Sequence, residues 1–254
     1  MRYAFINEPI GNRARLGGEE FRHQIKVLRR RIGDRLALLD GRGRIYQGRI
    51  EKIDSSIQEF EILIDDLRQL PRPQPLELII ALPRAGLFDT IIQKAVELGV
   101  TRIVPLLSER SQIRLSRPSE QERKMVHWEG IAIASCKQSG NPYKPVIELP
   151  VALQHLLPEN GTDFECLVLH PDTETADDDS RLAAGPVSLA TILLDEQDRP
   201  TRLAFGPEGG FSKSEIEFFR ARGYRMAGLG RRILRLETAV VAALVLIQAR
   251  NHNL

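Results

Sequence analysis

Two cysteines, Cys136 and Cys166, and a single tryptophan, Trp128, occur in 254 residues. A chain of this length can build a core without cross-links, so the cysteines read as buried or idle thiols, not as a disulfide framework. Long apolar runs are also missing. The longest spans residues 239–247, whereas a helix needs roughly 20 apolar residues to cross a bilayer, so no spanning segment is expected. The opening MRYAFINEPIGNR lacks the basic start, apolar stretch and small-residue cleavage site of a secretory leader, and the expected location is the cytoplasm. No His, Cys and Asp grouping has metal-ligand spacing, so no metal is expected. Charge of one sign is not in excess: 36 Lys and Arg face 34 Asp and Glu, for a net +2. With 42% hydrophobic and 28% charged residues, the composition excludes wholesale disorder and fits one large domain or two modest ones.

The near-neutral total hides an uneven distribution. Between Arg22 and Lys52 ten basic residues stand against three acidic ones, while residues 172–180 read DTETADDDS, an acidic loop. A clustered basic patch is what binding to a phosphate backbone requires, and a solvated charged face gives the same pattern. Three prolines in PRPQP, residues 71–75, forbid a helix and favour an extended connector. The domain boundary is expected there. Before it, residues 35–39, 44–53 and 57–64 read as strands and Asp40-Gly41 as a tight turn, with a short helix within 19–30. The first seventy residues therefore look like a small β-barrel-like module.

After the connector the pattern alternates between strands and helices. Residues 76–82 form an apolar strand, Asp89 is placed to cap a helix, Gly99 ends it, and residues 102–107 are the next strand. Residues 166–169 and 203–205 are further short buried strands. Such a series argues for a mostly parallel α/β sheet covered on both faces.

The window LAFGPEGGFSKSEIEFF, residues 203–219, is the most informative. A strand runs into Gly206-Pro207-Glu208-Gly209-Gly210, and a helix then starts with a capping box, Ser212 and Glu215, and a staple, Phe211 and Ile216. Three glycines between a strand and a helix let backbone N–H groups approach a ligand where α/β sheets usually bind small molecules. A tight connection without a ligand reads the same way. Phosphate-binding motifs fail here. Phe211 and Ser212 occupy the Gly and Lys places of a Walker A loop, and Glu208 stands where a dinucleotide fingerprint needs its second Gly. In the second window, residues 228–251, Leu229-Gly230 turns the chain, and Thr238 is placed to cap an almost wholly apolar final helix over 239–249. Between them lie Arg231, Arg232 and Arg235. The apolar pair Ile233-Leu234 inside this basic loop is expected to be buried and to fix it. For Arg231 and Arg232, simply facing water is the alternative.

Together these segments resemble a known family. Residues 206–212, Gly-Pro-Glu-Gly-Gly-Phe-Ser, followed by residues 229–239, Leu-Gly-Arg-Arg-Ile-Leu-Arg-Leu-Glu-Thr-Ala, are similar to the paired signature of the 16S ribosomal RNA uridine-N3 methyltransferases of the SPOUT superfamily. The likeness extends over most of the chain. Residues 23–29, Asp40-Gly41 and residues 94–100 resemble the family's N-terminal motif, barrel turn and first SPOUT helix. One departure stands out: where the family reads Glu-Gln-Ser followed shortly by Arg, this chain has Lys137-Gln138-Ser139-Gly140-Asn141-Pro142-Tyr143.

The resemblance implies a PUA-like RNA-binding domain over 1–70, the connector 71–75, and a SPOUT methyltransferase domain over 76–254 with a C-terminal trefoil knot. Periodicity cannot show a knot, and chains generally avoid them. It further implies a homodimer, S-adenosylmethionine as methyl donor, and 16S ribosomal RNA, within the small subunit, as substrate. The donor would be held by Leu169, His170, Pro171, Gly206, Pro207, Glu208, Gly209, Gly210, Leu229, Gly230, Ile233, Leu234 and Thr238. RNA would meet Arg22, His23, Lys26, Arg29 and Arg30, together with Arg231 and Arg232.

Methyl transfer from a sulfonium needs two reactants held in line, and positioning contributes about 7–11 kcal/mol. A uridine N3 is a poor nucleophile until its proton leaves, and a placed base contributes roughly 10²–10⁴ in rate. Arg235, with its forked and permanently charged head, is the candidate for stabilising the resulting anion. Glu237 and Glu208 are the candidate carboxylates, and capping the positive end of a helix is the alternative role for each. His23, His170 and Trp128 have structural readings beside their functional ones. Two rival classes are an RNA-binding factor without catalysis and a small-molecule transferase; the intact loops oppose the first and the basic patch the second.

Overall fold

The structure, a computed structural model, describes residues 3–84, 86–111, 117–156, 164–170, 187–194 and 199–251. Pro171 and the acidic loop 172–180 lie outside them. The chain divides into two compact units, Met1–Pro73 with Ala132–Lys144, and Gln74–Ile131 with Pro145–Leu254.

The first unit is a curled half-barrel. Strands β1 (Tyr3–Phe5), β2 (Arg13–Gly17), β3 (Arg35–Leu39), β4 (Arg44–Asp54) and β5 (Glu59–Gln69) lie in the order β1-β3-β4-β5-β2. Only the β1–β3 pair is parallel. The central pair, β4 and β5, shifts register between Gln47 and Gly48 and between Ile50 and Lys52, and such bulges bend a sheet. Gly48 is needed at the bend, because a Cβ would collide with the Leu63 carbonyl. Alternate residues turn inward: Leu36, Leu38, Tyr46, Ile50, Phe60 and Ile62 form one core with Phe21. The expected short helix is present as α1 (Gly18–Phe21) running into a π-helical stretch, Arg22–Val27. Strands β1 and β2 escaped the sequence reading, since three and five residues are too few to show a period.

The segment that departs from the family pattern helps to build this unit. Lys137 pairs with Glu20 at 2.6 Å, and Tyr143 lies against Gly43 and donates its hydroxyl to the Leu70 carbonyl at 2.7 Å.

The second unit holds a parallel sheet. Its strands are β6 (Leu76–Ala81), β7 (Arg102–Leu107), β8 (Val146–Ile147), β9 (Val151–Ala152), β10 (Glu165–Leu169), β11 (Val187–Ser188), β12 (Thr201–Phe205) and β13 (Arg225–Gly228). The order is β11-β13-β10-β12-β6-β7-β8, with β9 pairing to β7. β6 and β12 are buried along their whole length, as strands covered on both faces must be.

Helix α2 (Leu87–Glu97) follows β6, and α3 (Pro118–Ser139) follows β7. Trp128 of α3 is 2% exposed and meets Phe88 of α2 edge-on at 4.7 Å, so its structural reading holds. Asp89 does not cap α2, contrary to expectation. Gly86, at φ 87°, starts the helix, and Asp89 falls in the first turn, where its carboxylate meets His127 Nε2 at 2.8 Å. Gly99, at φ 73°, stops the helix as expected.

The remaining helices are α4 (Leu189–Leu194), α5 (Lys213–Ala221) and α6 (Leu236–Arg250). α6 begins three residues earlier than expected. Arg235 is its extended N-cap, and the Ala239 N–H donates to the Arg235 carbonyl at 2.9 Å. Thr238 therefore sits inside the helix and caps nothing.

Candidate active site

The carboxyl ends of β10, β12 and β13 converge on one pocket in the second unit. Its lining comes from Leu169 and His170 after β10, Phe205 to Glu208 with Gly210 and Phe211 after β12, and Ala227, Leu229, Gly230, Arg232, Ile233 and Leu234 after β13, closed by Leu236 and Ala239 of α6. β10 lies between the other two strands, so loops some twenty residues apart in sequence face each other across its end. Crevices at the carboxyl ends of open parallel sheets are where such folds bind ligands.

The shape of the 206–210 loop follows from its glycines and from what comes after them. A Cβ on Gly206 would lie 2.9 Å from the Phe211 nitrogen and 3.0 Å from the Gly210 carbonyl carbon. Only glycine lets the chain fold back so closely. Gly210, at φ 68°, completes the turn, and Phe211 then buries itself against Phe219 of α5 at 5.0 Å. The predicted capping box is present: the Ser212 N–H donates to Glu215 Oε2 at 2.8 Å, and the Glu215 N–H donates to Ser212 Oγ at 3.3 Å. Such a box fixes the first turn of the helix and thereby the loop that enters it.

Neighbouring loops hold this turn from outside. The Glu109 N–H donates to Glu215 Oε1 at 2.9 Å, and Arg110 Nη1 donates to the Gly209 carbonyl at 2.7 Å. After β6, Arg84 donates to Glu208 Oε1 twice, from its backbone at 3.3 Å and from Nε at 3.2 Å. Partial burial works against the Glu208 charge, but hydrogen bonds from its own backbone and from Arg84 outweigh it and hold the carboxyl below its ordinary value. The group is an anion at neutral pH and a weak proton acceptor. Sequence reasoning missed Arg84, Glu109 and Arg110, because no local signal announces partners a hundred residues away.

Of the donor-site expectations, Leu169, His170, Gly206, Pro207, Glu208, Gly210, Leu229, Gly230, Ile233 and Leu234 line the pocket. Gly209 and Thr238 do not, and Pro171 lies outside the described residues. The His170 backbone N–H donates to the Ala227 carbonyl at 3.1 Å, which fixes the chain at this point. The Ile233-Leu234 pair departs from expectation: Ile233 is 72% exposed and Leu234 half-buried. These side chains line the open pocket and do not enter the core, so the turn at Gly230, φ 101°, sets the loop in place of an apolar anchor. Arg231, Arg232 and Arg235 are exposed and Glu237 half-buried. Among the described residues, none of the three arginines enters an ion pair.

In the first unit, Arg22, Lys26 and Arg29 are exposed on the π-helical stretch and its end. Arg30 is committed within the unit, donating to Gln24 Oε1 at 2.9 Å and to the Arg35 carbonyl at 2.7 Å. His23 is half-buried, its carbonyl accepting from the Leu28 N–H at 2.9 Å. Among the described residues no group of three or more His, Cys, Asp and Glu is placed to hold a metal, and no helix is long and apolar enough to cross a membrane.

Known proteins share this arrangement. An RNA methyltransferase domain family matches residues 70–248, and an RNA methyltransferase PUA domain family matches residues 16–62. The chain is 32% identical over 234 residues to the ribosomal RNA small subunit methyltransferase E of Buchnera aphidicola subsp. Schizaphis graminum, covering 91% of this chain and 89% of that one. It is 28% identical over 232 residues to the enzyme of the same name from Bacillus subtilis, covering 89% and 86%. The crystal structure of a ribosomal RNA small subunit methyltransferase E from Neisseria gonorrhoeae, bound to S-adenosylmethionine, superposes with a TM-score of 0.79 at 26% identity, over 98% of this chain and 97% of that one. With a pocket built from the strand ends that its signature loops follow, and with both domain families matched in order, this chain belongs to the ribosomal RNA small subunit methyltransferase E family of RNA methyltransferases.

Proposed function

We propose that the protein transfers the methyl group of S-adenosylmethionine to N3 of a uridine in 16S ribosomal RNA within the small subunit. The observation that carries this reading is the meeting of the 206–210 and 229–234 loops around one pocket at the end of β10. The pocket fits the donor: Leu169, Phe205, Leu229 and Leu234 offer an apolar slot for a purine, and glycine backbone at 206, 210 and 230 allows close approach. When bound, the donor supplies a sulfonium methyl group that leaves the sulfur as the bond to nitrogen forms. The Neisseria relative, solved with S-adenosylmethionine, supports the assignment.

The chain's own residues then have distinct tasks. The two loops bind and orient the donor, with Gly209 and Thr238 acting from outside the lining and Pro171 as a further donor contact. Arg235, exposed at the N-cap of α6, stabilises the uridine anion as its N3 proton leaves. Glu237, in the first turn of the same helix, is the candidate acceptor of that proton. Glu208, held as an anion, acts by its charge. Arg231 and Arg232 contact phosphate beside the pocket.

Residues 1–70 serve as the PUA-like RNA-binding domain, 71–75 as the connector and 76–254 as the methyltransferase domain, with the trefoil knot that the family resemblance implies. Arg22, His23, Lys26 and Arg29 provide the basic RNA face, where neutralised phosphates release counterions, and Arg30 adds its charge while bracing the face through Gln24 and the Arg35 carbonyl. The protein works in the cytoplasm as a homodimer. α6 supports the dimer: it is apolar nearly all round, yet Val245 is 37% exposed and Val241 and Ala242 only half-buried.

The test is methyl transfer from labelled S-adenosylmethionine to small subunits that lack the modification, with the product mapped by mass spectrometry. Labelled 3-methyluridine is the expected result, and Arg235→Ala should lower kcat at least tenfold while leaving donor affinity within twofold. Donor binding without transfer to any small-subunit RNA would overturn the catalytic reading in favour of an RNA-binding factor.

A further inference from the structure

We propose that Glu208 is the charge-selecting residue of the pocket, favouring the sulfonium donor over the neutral thioether left after transfer, with Arg84 as the residue that positions it. The proposal rests on the donor reading above and adds a specificity to it.

Four observations carry it. Glu208 is the one carboxylate among the described residues lining the pocket, whose wall is otherwise apolar apart from His170 and Arg232. Both hydrogen bonds from Arg84 go to Oε1, so the carboxylate is held from one side at the rim of the pocket that it lines. Arg84 follows β6, the strand that pairs with β12 in parallel register, Phe205 opposite Ile80, so the fold itself brings the guanidinium to the 206–210 loop. Arg110 secures the adjoining Gly209 carbonyl and keeps Glu208 from swinging away with its loop.

The charge argument is direct. A carboxylate that stays ionised and is a weak base serves better as a counter-charge than as a proton acceptor. Donor and spent product share the same ammonium, carboxylate and nucleoside, so Arg232 and His170 act on both alike. They differ at sulfur, positive in one and neutral in the other. An anion in the pocket wall therefore separates them, and this helps the spent product to leave. Glu208 is partly exposed, so the effect is set by a solvent-screened pair and is about fivefold.

Calorimetric titration of the full chain with S-adenosylmethionine and with S-adenosylhomocysteine tests this without reference to turnover. In the wild type the donor should bind more tightly. Glu208→Gln, nearly isosteric, should weaken the donor about fivefold and leave the product within twofold, so that the preference collapses. Arg84→Ala should move the ratio in the same direction, and Arg84→Lys should restore most of it, with unfolding midpoints unchanged. Equal weakening of both ligands by Glu208→Gln, or of neither, would overturn the proposal even with donor binding intact. Failure of the wild type to bind either ligand would overturn the donor reading itself, and this proposal with it.

Discussion

The guanidinium of Arg110 donates to the carbonyl of Gly209 at 2.7 Å, although the two residues stand 99 positions apart. The bond ties the turn after β7 to the glycine loop after β12, and Glu109 repeats the tie one residue earlier through Glu215. A loop held in its bound shape loses less freedom when a ligand arrives.

Arg110→Ala should therefore weaken S-adenosylmethionine binding by about threefold to tenfold, the scale of one ordinary hydrogen bond lost. Stability should change by less than about 0.5 kcal/mol, as expected for an exposed position. Calorimetry and urea unfolding measure the two effects separately, and a large stability loss with unchanged affinity would contradict the assignment.

Gly206 and Gly209 should behave differently. Alanine at 206 must displace backbone atoms only 2.9–3.0 Å away, which costs roughly 1–3 kcal/mol as overpacking and should abolish measurable donor binding. At 209 the nearest atoms, on the Arg110 side chain, are 3.7 Å away, so Gly209→Ala should fold with near wild-type stability. Thermal unfolding of the two variants side by side checks this.

At the opposite end of the strands Glu77 and Arg202 form a buried pair at 2.7 Å. Burial works against the Arg202 charge, and the hydrogen bond and charge of Glu77 overcome it, holding the guanidinium above its ordinary pKa. Arg202→Met alone should cost about 1–3 kcal/mol, because it leaves the buried Glu77 carboxylate with only the longer 3.4 Å contact to Arg102, whereas Glu77→Met with Arg202→Met should recover most of the loss. Urea midpoints of the two single variants and the double variant test the coupling.

Burial pushes the Cys136 thiol up to about 12 from 9.0. The folded state holds it neutral, so its contribution to stability is fully present below pH 9 and is lost as the pH rises towards the folded value. Cys136 should resist thiol reagents at pH 8 in the native protein and react fully in denaturant, while native stability declines above pH 9. Fast native labelling, assigned by peptide mapping, would contradict this.

Much of the fold was legible locally. β3 and β7 run over the residues expected of them, and the capping box at Ser212 and Glu215 was readable because all its partners lie within four residues. The 22-residue helix α3 was not, because its charged and apolar residues do not separate cleanly into faces. The starts of α2 and α6 were misplaced for a related reason. Asp89 and Thr238 have capping side chains, but backbone at Gly86 and Arg235 takes the cap positions.

The sequence by itself determined that a basic, β-barrel-like module precedes a mostly parallel α/β unit, and that two loops, glycine-bearing and arginine-bearing, carry the signature of a methyltransferase. Periodicity, turn chemistry and capping act over a few residues, and one dimension records them. Only the tertiary structure decided that β10 inserts between β12 and β13 so that those loops share a pocket, that Ile233 lines it and does not anchor the core, and that Arg84 and Arg110 grip the 206–210 turn. Those relationships arise from strand order and burial, which bring together residues whose separation along the chain leaves no local mark.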